Sequence, residues 1–448
     1  MPKIRNSNHF PLRFAGAPAE TIETVPEPEY VAALPGQIPL IRPRLLVGAG
    51  DGVKIGSPLF EDKSDPAVRF LSPGGGRVLE IRYGERRAIR KIVIQRDADE
   101  PAAVFDPMDD RRLARTERGE LVETLALRGL WPLVRDLTFR GIAARNDRPA
   151  AIWVALDCAD PFHPVPDVYL AGRAEYFTFG LRILRKLAGS VRVIENAAQP
   201  VTDSHLRELI THRVSGPYPA GDPGVVHYRA KRSADENRAW FITGQDLLLL
   251  AEGLLTGTYP TSRIVAVSGG DSATCRHVRT RLGAPVRSLV PPLKNPEACR
   301  WVAGGLFSGH TVSPDGFLGL YETALALIPE AITPELFGFI RPGWDKPSIS
   351  RTFLSTFRKG PLSTDAGMHG EERACINCGA CMRICPVDIL PQFTYKCLYA
   401  DAIEEALRHG LLDCVECGLC SYVCPSKVEL AGAFRAARQK LHKERSDR

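Results

Sequence analysis

Eight cysteines repeat one spacing twice: Cys375-Ile-Asn-Cys378-Gly-Ala-Cys381-Met-Arg-Ile-Cys385-Pro386 and Cys414-Val-Glu-Cys417-Gly-Leu-Cys420-Ser-Tyr-Val-Cys424-Pro425. Thiolates are soft ligands for iron. Three of them, with two residues between successive sulfurs, can wrap one face of an iron–sulfur cubane and leave its fourth iron to a cysteine from elsewhere. Nine of the 12 cysteines lie between Cys375 and Cys424, while Cys158, Cys275 and Cys299 stand alone. Clustering of this kind in a reducing compartment indicates metal ligation, not disulfides.

The run C-x2-C-x2-C-x3-C-P is the spacing of bacterial two-cluster ferredoxins, in which the fourth cysteine of each run ligates the other run's cluster. It assigns Cys375, Cys378, Cys381 and Cys424 to one [4Fe-4S] cluster and Cys414, Cys417, Cys420 and Cys385 to the other. Two zinc sites are the alternative, because paired C-x2-C motifs also bind zinc. A zinc site, however, has no need of two four-cysteine runs each closed by a proline. Gly379 and Gly418 let backbone approach sulfur, and Pro386 and Pro425 turn the chain after the last ligand. No proton donor or nucleophile lies among the ligands, so one-electron transfer is the expected role and no catalytic residue is expected on this chain. Cys397, like the three isolated cysteines, has no spacing partner and reads as a small buried hydrophobe.

These ligands need a body to hold them. The 448 residues suffice for about three domains at roughly 100 to 200 residues each. With 44% hydrophobic and 25% charged residues the composition is that of an ordinary globular protein. A net charge of +6 without a clustered basic stripe marks no nucleic-acid partner. The leucine-rich run from Leu247 to Leu255 is interrupted by Glu252 and falls far short of the roughly 20 apolar residues of a spanning helix. The N-terminus leads into no apolar signal region, so a cytosolic location is expected.

Along the chain the expected class is α/β multidomain. Residues from about Pro39 to Val93 alternate apolar and polar positions between tight turns and predict, over 1–96, a β barrel-sandwich hybrid like that of lipoyl and biotinyl carriers, with Lys63 near a hairpin tip. Residues 96–120 are dense in charge of both signs and read as a solvated connector. The buried run Ala151-Ile-Trp-Val-Ala-Leu156, the helical spacing of Phe177, Leu181, Leu184 and Leu187, and the run Ser190-Val-Arg-Val-Ile194 predict a βαβ unit, hence a Rossmann-like α/β domain over 97–262. Within it a helix should follow Thr243, with Asp246 completing a capping pair. Residues 263–330 return to short strands and suggest a β-grasp (SLBB-like) domain, with Val286 to Val290 a short helix or strand. Residues 331–370, rich in proline and glycine, form a linker, and 371–448 the α-helical ferredoxin-type module. The basic amphipathic stretch from Val428 to Arg445 puts Leu430, Phe434, Ala437 and Leu441 on one stripe. Packing on its own module is the commoner fate of such a helix and docking on an anionic surface the rarer one.

Several segments in this order, Phe60-Glu-Asp-Lys63, Gly129-Leu-Trp131, Gly216-Pro-Tyr-Pro-Ala-Gly221, Glu335-Leu-Phe-Gly338 through Arg351-Thr-Phe-Leu354, and Leu419-Cys-Ser-Tyr-Val-Cys-Pro-Ser-Lys427, resemble the NqrA family, the A-type component of the sodium-translocating NADH:quinone reductase. The cysteine module, continuing Cys385-Pro-Val-Asp-Ile-Leu-Pro-Gln392, is similar to the C-type component of the related Rnf complex. The resemblance implies a peripheral subunit on the cytoplasmic face of a six-subunit bacterial inner-membrane complex that passes electrons from NADH to ubiquinone and pumps sodium. It also connects this component with quinone binding. Well-known family members keep only a degenerate remnant of the cysteine runs, whereas this chain has all eight ligands.

The Rnf and complex I relatives hold flavin phosphate on a glycine-rich loop, where backbone N–H groups can approach phosphate unobstructed. The corresponding stretch here, Leu127-Arg-Gly-Leu-Trp-Pro-Leu133, has one glycine, a bulky tryptophan and a proline without an N–H. No tightly bound FMN is therefore expected, and NADH is used by the complex, not by this chain. Gly216, Tyr218 and Gly221 could line a nucleotide pocket, or form only a structural turn. Three functions remain open: electron transfer within such a complex, docking of other subunits with clusters that only stabilise the fold, and an Rnf-like NADH dehydrogenase module. The purified chain is expected to lack flavin absorbance; a stoichiometric flavin spectrum would revive the last of these.

Overall fold

A computed structural model describes residues 3–5 (backbone only), 14–156, 160–269, 275–293, 295–330, 337, 340, 342–345, 353–363, 365–368 and 370–446. Cys158, and most of the segment that carries Glu335 to Arg351, lie outside the described residues.

The hybrid is built from two small sheets. One joins Tyr30–Ala33, Ile89–Arg96, Gly76–Tyr83 and Gly52–Val53 in that spatial order, and the other joins Pro43–Leu45, Pro58–Asp62 and Asp65–Leu71. Leu59, Phe60, Val78, Ile92 and Ile94 are buried between them, with Phe60 stacked on Phe70 at 4.4 Å. Lys63 is exposed in the tight turn after Asp62.

Residues 3–5 and 19–24 pair outside the two sheets of the hybrid. Lys3–Arg5 pairs in parallel with His212–Ser215 at the edge of the central sheet, and Ala19–Thr24 pairs in parallel with Arg276–Arg281 in the third sheet. The charged connector differs from expectation. Asp110–Arg115 and Arg118–Leu127 are helices, the first capped by the Asp109 side chain accepting from the Arg112 N–H at 2.8 Å. Met108, Leu113 and Leu121 carry their faces into the main core, which the surrounding charges conceal in the sequence.

The central sheet runs Lys3–Arg5, His212–Ser215, Val191–Asn196, Ala151–Ala155, Ala239–Thr243 and Arg135–Asp136, with every pair parallel except the last. All five residues of Ala151–Ala155 are buried, as a strand covered on both faces requires. Helix Ala174–Leu187 buries Phe177, Leu181, Leu184 and Leu187 and supplies the crossover to Val191–Asn196. Helix Gly244–Thr256 crosses it so closely that a Cβ on Gly180 would lie 2.7 Å from Leu247. The Thr243 hydroxyl caps this helix as expected, accepting from the Asp246 N–H. The Asp246 carboxylate does not complete the reciprocal bond; it pairs with the buried guanidinium of Arg263 on strand Ser262–Gly269 and ties the central domain to the third sheet.

That third sheet orders His310–Thr311, Cys299–Ala303, Ala324–Pro329, Ser262–Gly269, Arg276–Arg281 and Ala19–Thr24. Val286–Leu289 is a 3-10 turn, and among the described residues no α-helix lies between Thr256 and Ala380.

One side chain occupies the place where an α/β sheet would take a nucleotide. Ligands bind such sheets outside the carboxyl ends of the strands, where the strand order reverses; here that is between Ala151–Ala155 and Ala239–Thr243. The Tyr169 ring sits there, its hydroxyl donating to the Leu156 carbonyl at 2.5 Å and lying where a Cβ on Gly244 would be. Trp131 lies in the stretch that the sequence aligns with a flavin-phosphate loop. Residues Trp131–Leu133 form a buried 3-10 turn in which the indole N–H donates to the Ala143 carbonyl at 2.8 Å and the ring meets Trp240 edge-on at 5.6 Å.

Behind the sheet, Trp153 donates from its indole N–H to Nδ1 of His227 at 3.2 Å, which fixes helix Pro223–Ala230 on the strand. Burial, followed by the charges of Lys231 and Arg192, lowers the His227 pKa to about 4. The unfolded chain therefore takes up this proton first as pH falls. The contact is at full strength above pH 6.5, the unfolded imidazole's pKa, and should lose about 3 kcal/mol of stability on descent to pH 4. Urea midpoints across that range should show this slope in the native chain and not in His227→Gln; an unchanged slope in the variant would assign the protonation elsewhere.

Candidate metal centre

The cysteine module is an internal repeat of 39 positions. Each cysteine of the first run has its counterpart at that interval, and so do the residues with positive φ: Asn377 and Glu416, Gly379 and Gly418, Asp388 and Lys427. The helices Pro391–Tyr399 and Leu430–Ser446 start at the same interval. Left-handed backbone at these points bends each run tightly, and short helices Ala380–Ile384 and Leu419–Tyr422 then carry the third cysteine inward. Gly418 is required twice over. Its φ is +74°, and a Cβ there would lie 2.8 Å from the Phe307 carbonyl oxygen.

Two cavities lie within the module. Cys375, Cys378, Cys381 and Cys424 line the first, with Gln392, Val428 and Leu430. Cys385, Cys414, Cys417 and Cys420 line the second, with Val387, Ile389 and Phe434. The fourth cysteine of each run thus faces the other run's first three.

The donor set suits iron–sulfur clusters. Burial pushes up the thiols of Cys381, Cys414, Cys417 and Cys420, and that of Cys385 to about 11, so these sulfurs become anionic ligands only against the positive charge of a metal. Among the described residues no three His, Cys, Asp or Glu side chains converge as they would on one ion. Thiols spread around a cavity suit a multi-iron cluster better than a tetrahedral zinc.

The two halves differ in their surroundings. The second run is keyed into the body of the protein. The Tyr218 hydroxyl donates to the Cys417 carbonyl at 2.8 Å, and its ring stacks on Phe307 at 5.3 Å, which in turn meets Tyr422 edge-on. Burial raises the Tyr218 hydroxyl well above its usual pKa, so it remains a donor. The Phe307 loop is held by Asp160, whose carboxylate accepts from the N–H groups of Leu306, Phe307 and Ser308. Arg438, 2% exposed, donates to the Cys414 carbonyl at 2.8 Å, to Glu416 at 2.6 Å and to the Thr138 carbonyl of the central domain. Arg140 bonds Asp222 at 2.7 Å, and the same carboxylate caps helix Pro223–Ala230. Val225 on that helix packs into the module's own core.

The Gly216 to Gly221 turn therefore meets the metal module, with its Tyr218 hydroxyl on the Cys417 carbonyl. Helix Leu430–Ser446 packs Leu430 and Phe434 into the module, as expected of its stripe. Arg438 departs from the polar role expected of it, although its position four residues after Phe434 on the apolar stripe was the available signal. Nothing in the sequence pointed to Phe307 or to Asp160, whose partners lie 146 to 148 residues away and across the domain boundary. Cys397 lies apart from both cavities, near His409, and Cys275 is buried in the third-sheet region.

Among the described residues no helix is long and apolar enough to cross a membrane. Residues 4–97 match the model of the NqrA N-terminal barrel-sandwich hybrid domain, 116–259 that of the NqrA second alpha/beta domain, and 374–428 a 4Fe-4S dicluster domain. A solved NAD+-reducing [NiFe]-hydrogenase aligns with 52% of the chain at a TM-score of 0.32 and 12% identity, too little to carry the fold. The A-type component of the Na(+)-translocating NADH-quinone reductase of Yersinia pseudotuberculosis serotype O:1b is 34% identical over 418 residues, 92% of each chain. The protein of the same name from Actinobacillus pleuropneumoniae serotype 3 is 34% identical over 441 residues, 97% of this chain and 98% of its own. By this identity over nearly its whole length, the chain belongs to the NqrA family of the Na(+)-translocating NADH-quinone reductase.

Proposed function

We propose that this chain carries single electrons through two [4Fe-4S] clusters as the NqrA-type component of a membrane-bound, sodium-translocating NADH:quinone reductase. The crossed ligand sets are Cys375, Cys378, Cys381 and Cys424 for the first cluster, and Cys385, Cys414, Cys417 and Cys420 for the second. The partition of the eight cysteines between two cavities is the observation that carries the reading.

Bound clusters would supply one-electron couples; the chain's own residues hold and shield them. Phe434, Val387 and Ile389 keep water from the second cavity, and Tyr218 and Phe307 close it on the side of the body. The Glu416 carboxylate, which lines the second cavity, is held in ion pairs with Arg435 and Arg438. Hydride abstraction from NADH and reduction of quinone fall to other subunits of a six-subunit complex, which also provide attachment to the cytoplasmic face of the membrane. Tyr169 and Trp131 support this division: the first fills the switch point where a nucleotide phosphate would approach the backbone, and the second is a bulky buried ring in the stretch where a glycine-rich phosphate loop would be needed. They weigh equally against an Rnf-like NADH dehydrogenase module.

A docking role with fold-stabilising clusters is the second reading, favoured by the contacts of Tyr218 and Arg438 with the second run. Reduction of the clusters by NADH within one turnover of the whole complex would decide against it.

The full chain should hold about eight irons and eight sulfides and give a reducible cluster signal in EPR. Crossing makes a sharper prediction: Cys424→Ser should perturb the same signal as Cys375→Ser, and Cys385→Ser the same signal as Cys414→Ser. If the four variants instead grouped by run, the crossed assignment would be wrong.

A further inference from the structure

We propose that the face around the first cavity is where a separate redox protein exchanges electrons with this chain, and that the partner presents an apolar centre within an acidic rim. This deepens the electron-transfer reading and rests on it.

The 39-residue repeat supplies an internal comparison. Val415 in the second run is buried, against Gly224 and Val225 of the central domain. Its counterpart Ile376 is 68% exposed. Cys378 is exposed, whereas its counterpart Cys417 is covered by Tyr218. The chain's own body thus occupies the second half, and the equivalent surface of the first half is left open.

That open surface is apolar and basic. Met382 and Phe393, each 41% exposed, flank it with Ile376. Arg383 donates to the Cys378 carbonyl at 3.1 Å, and Lys396 reaches Asn377 at 3.5 Å and lies over the Phe393 ring. Both cations border the exposed face, and neither pairs with a carboxylate among the described residues. An apolar centre ringed by unpaired cations fits a partner with carboxylates at its rim, which steer encounter. One electron passes per encounter between the partner's flavin or iron–sulfur centre and the first cluster, one gaining what the other loses, with no proton involved. A lipid surface also suits apolar and basic side chains but offers no redox centre at the exposed cysteine.

Reduced flavodoxin, an acidic one-electron donor, serves as the probe against the full chain with both clusters loaded. The reversal Arg383→Glu/Lys396→Glu should slow cluster reduction by roughly tenfold or more, abolish its dependence on ionic strength, and weaken binding of oxidised flavodoxin by a similar factor. Phe393→Ser should weaken binding while preserving the salt dependence. The reversal Arg111→Glu/Arg115→Glu, equal in charge change on the exposed helix Asp110–Arg115, should change nothing. Reduction by dithionite should give the native EPR signal in all variants; absence of that signal in the native chain would sink the cluster reading itself. With clusters present, native binding and rates in both first-cavity variants would overturn the docking proposal. So would loss in these variants of sedimentation with phosphatidylglycerol vesicles, which would assign the face to a membrane, or loss of a dimer, which would assign it to a second copy of the chain.

Discussion

Sulfur anions cannot be gathered in a dry cavity unless positive charge meets them there, and the C-terminal part of this molecule is organised around that constraint. Burial alone raises the thiols of Cys385, Cys414, Cys417 and Cys420, so without metal the cavities hold neutral sulfur lined by apolar side chains. The repeat of left-handed residues, the two glycines and the short inward helices all serve to bring four thiols to one place from two distant stretches of chain. Because the fourth cysteine of each run lines the other run's cavity, the two runs are interdependent: neither cavity is complete unless both halves of the repeat are folded against each other. Arg140 and Arg438, buried beside Cys414, add fixed positive charge on the side of the body and join the module to the central domain.

What could be seen in the sequence divides along physical lines. The cysteine runs were legible because ligand spacing is itself the chemistry, and the strand at Ala151–Ala155 with its following helix because burial imposes a period on the residues. The charged connector was misread because its exposed arginines outnumber the few apolar side chains, Met108 and Leu113, that decide where it packs. Tyr218 was singled out for a glycine-rich turn, and its real partner, the Cys417 carbonyl, lies 199 residues away, beyond any local pattern. Arg438 shows the limit of stripe arguments: its long apolar stem lets it share the buried face of a helix while its guanidinium finds carbonyls and a carboxylate.

The central domain keeps the strand order of a nucleotide-binding sheet but closes its crevice from within. Tyr169 bonds to backbone at the point where the strand order reverses, and Trp131 is buried in the turn before the edge strand Arg135–Asp136. The sheet retains its parallel register and its helices, so what changed is the surface at its carboxyl end, not the scaffold. Helix Pro223–Ala230, on the opposite side of that sheet, has become a seat for the cluster module through Val225 and the Asp222 cap.

The two strands near the start of the chain have a consequence for how the molecule comes together. Lys3–Arg5 completes an edge of the central sheet and Ala19–Thr24 an edge of the third, yet their partners at His212–Ser215 and Arg276–Arg281 follow the whole hybrid in the chain. In synthesis these segments must wait for partners about two hundred residues or more downstream, while the hybrid between Tyr30 and Arg96 can close on local contacts. Topologically, the hybrid is a cassette spliced into a chain whose earlier segments are already pledged to the other two layers.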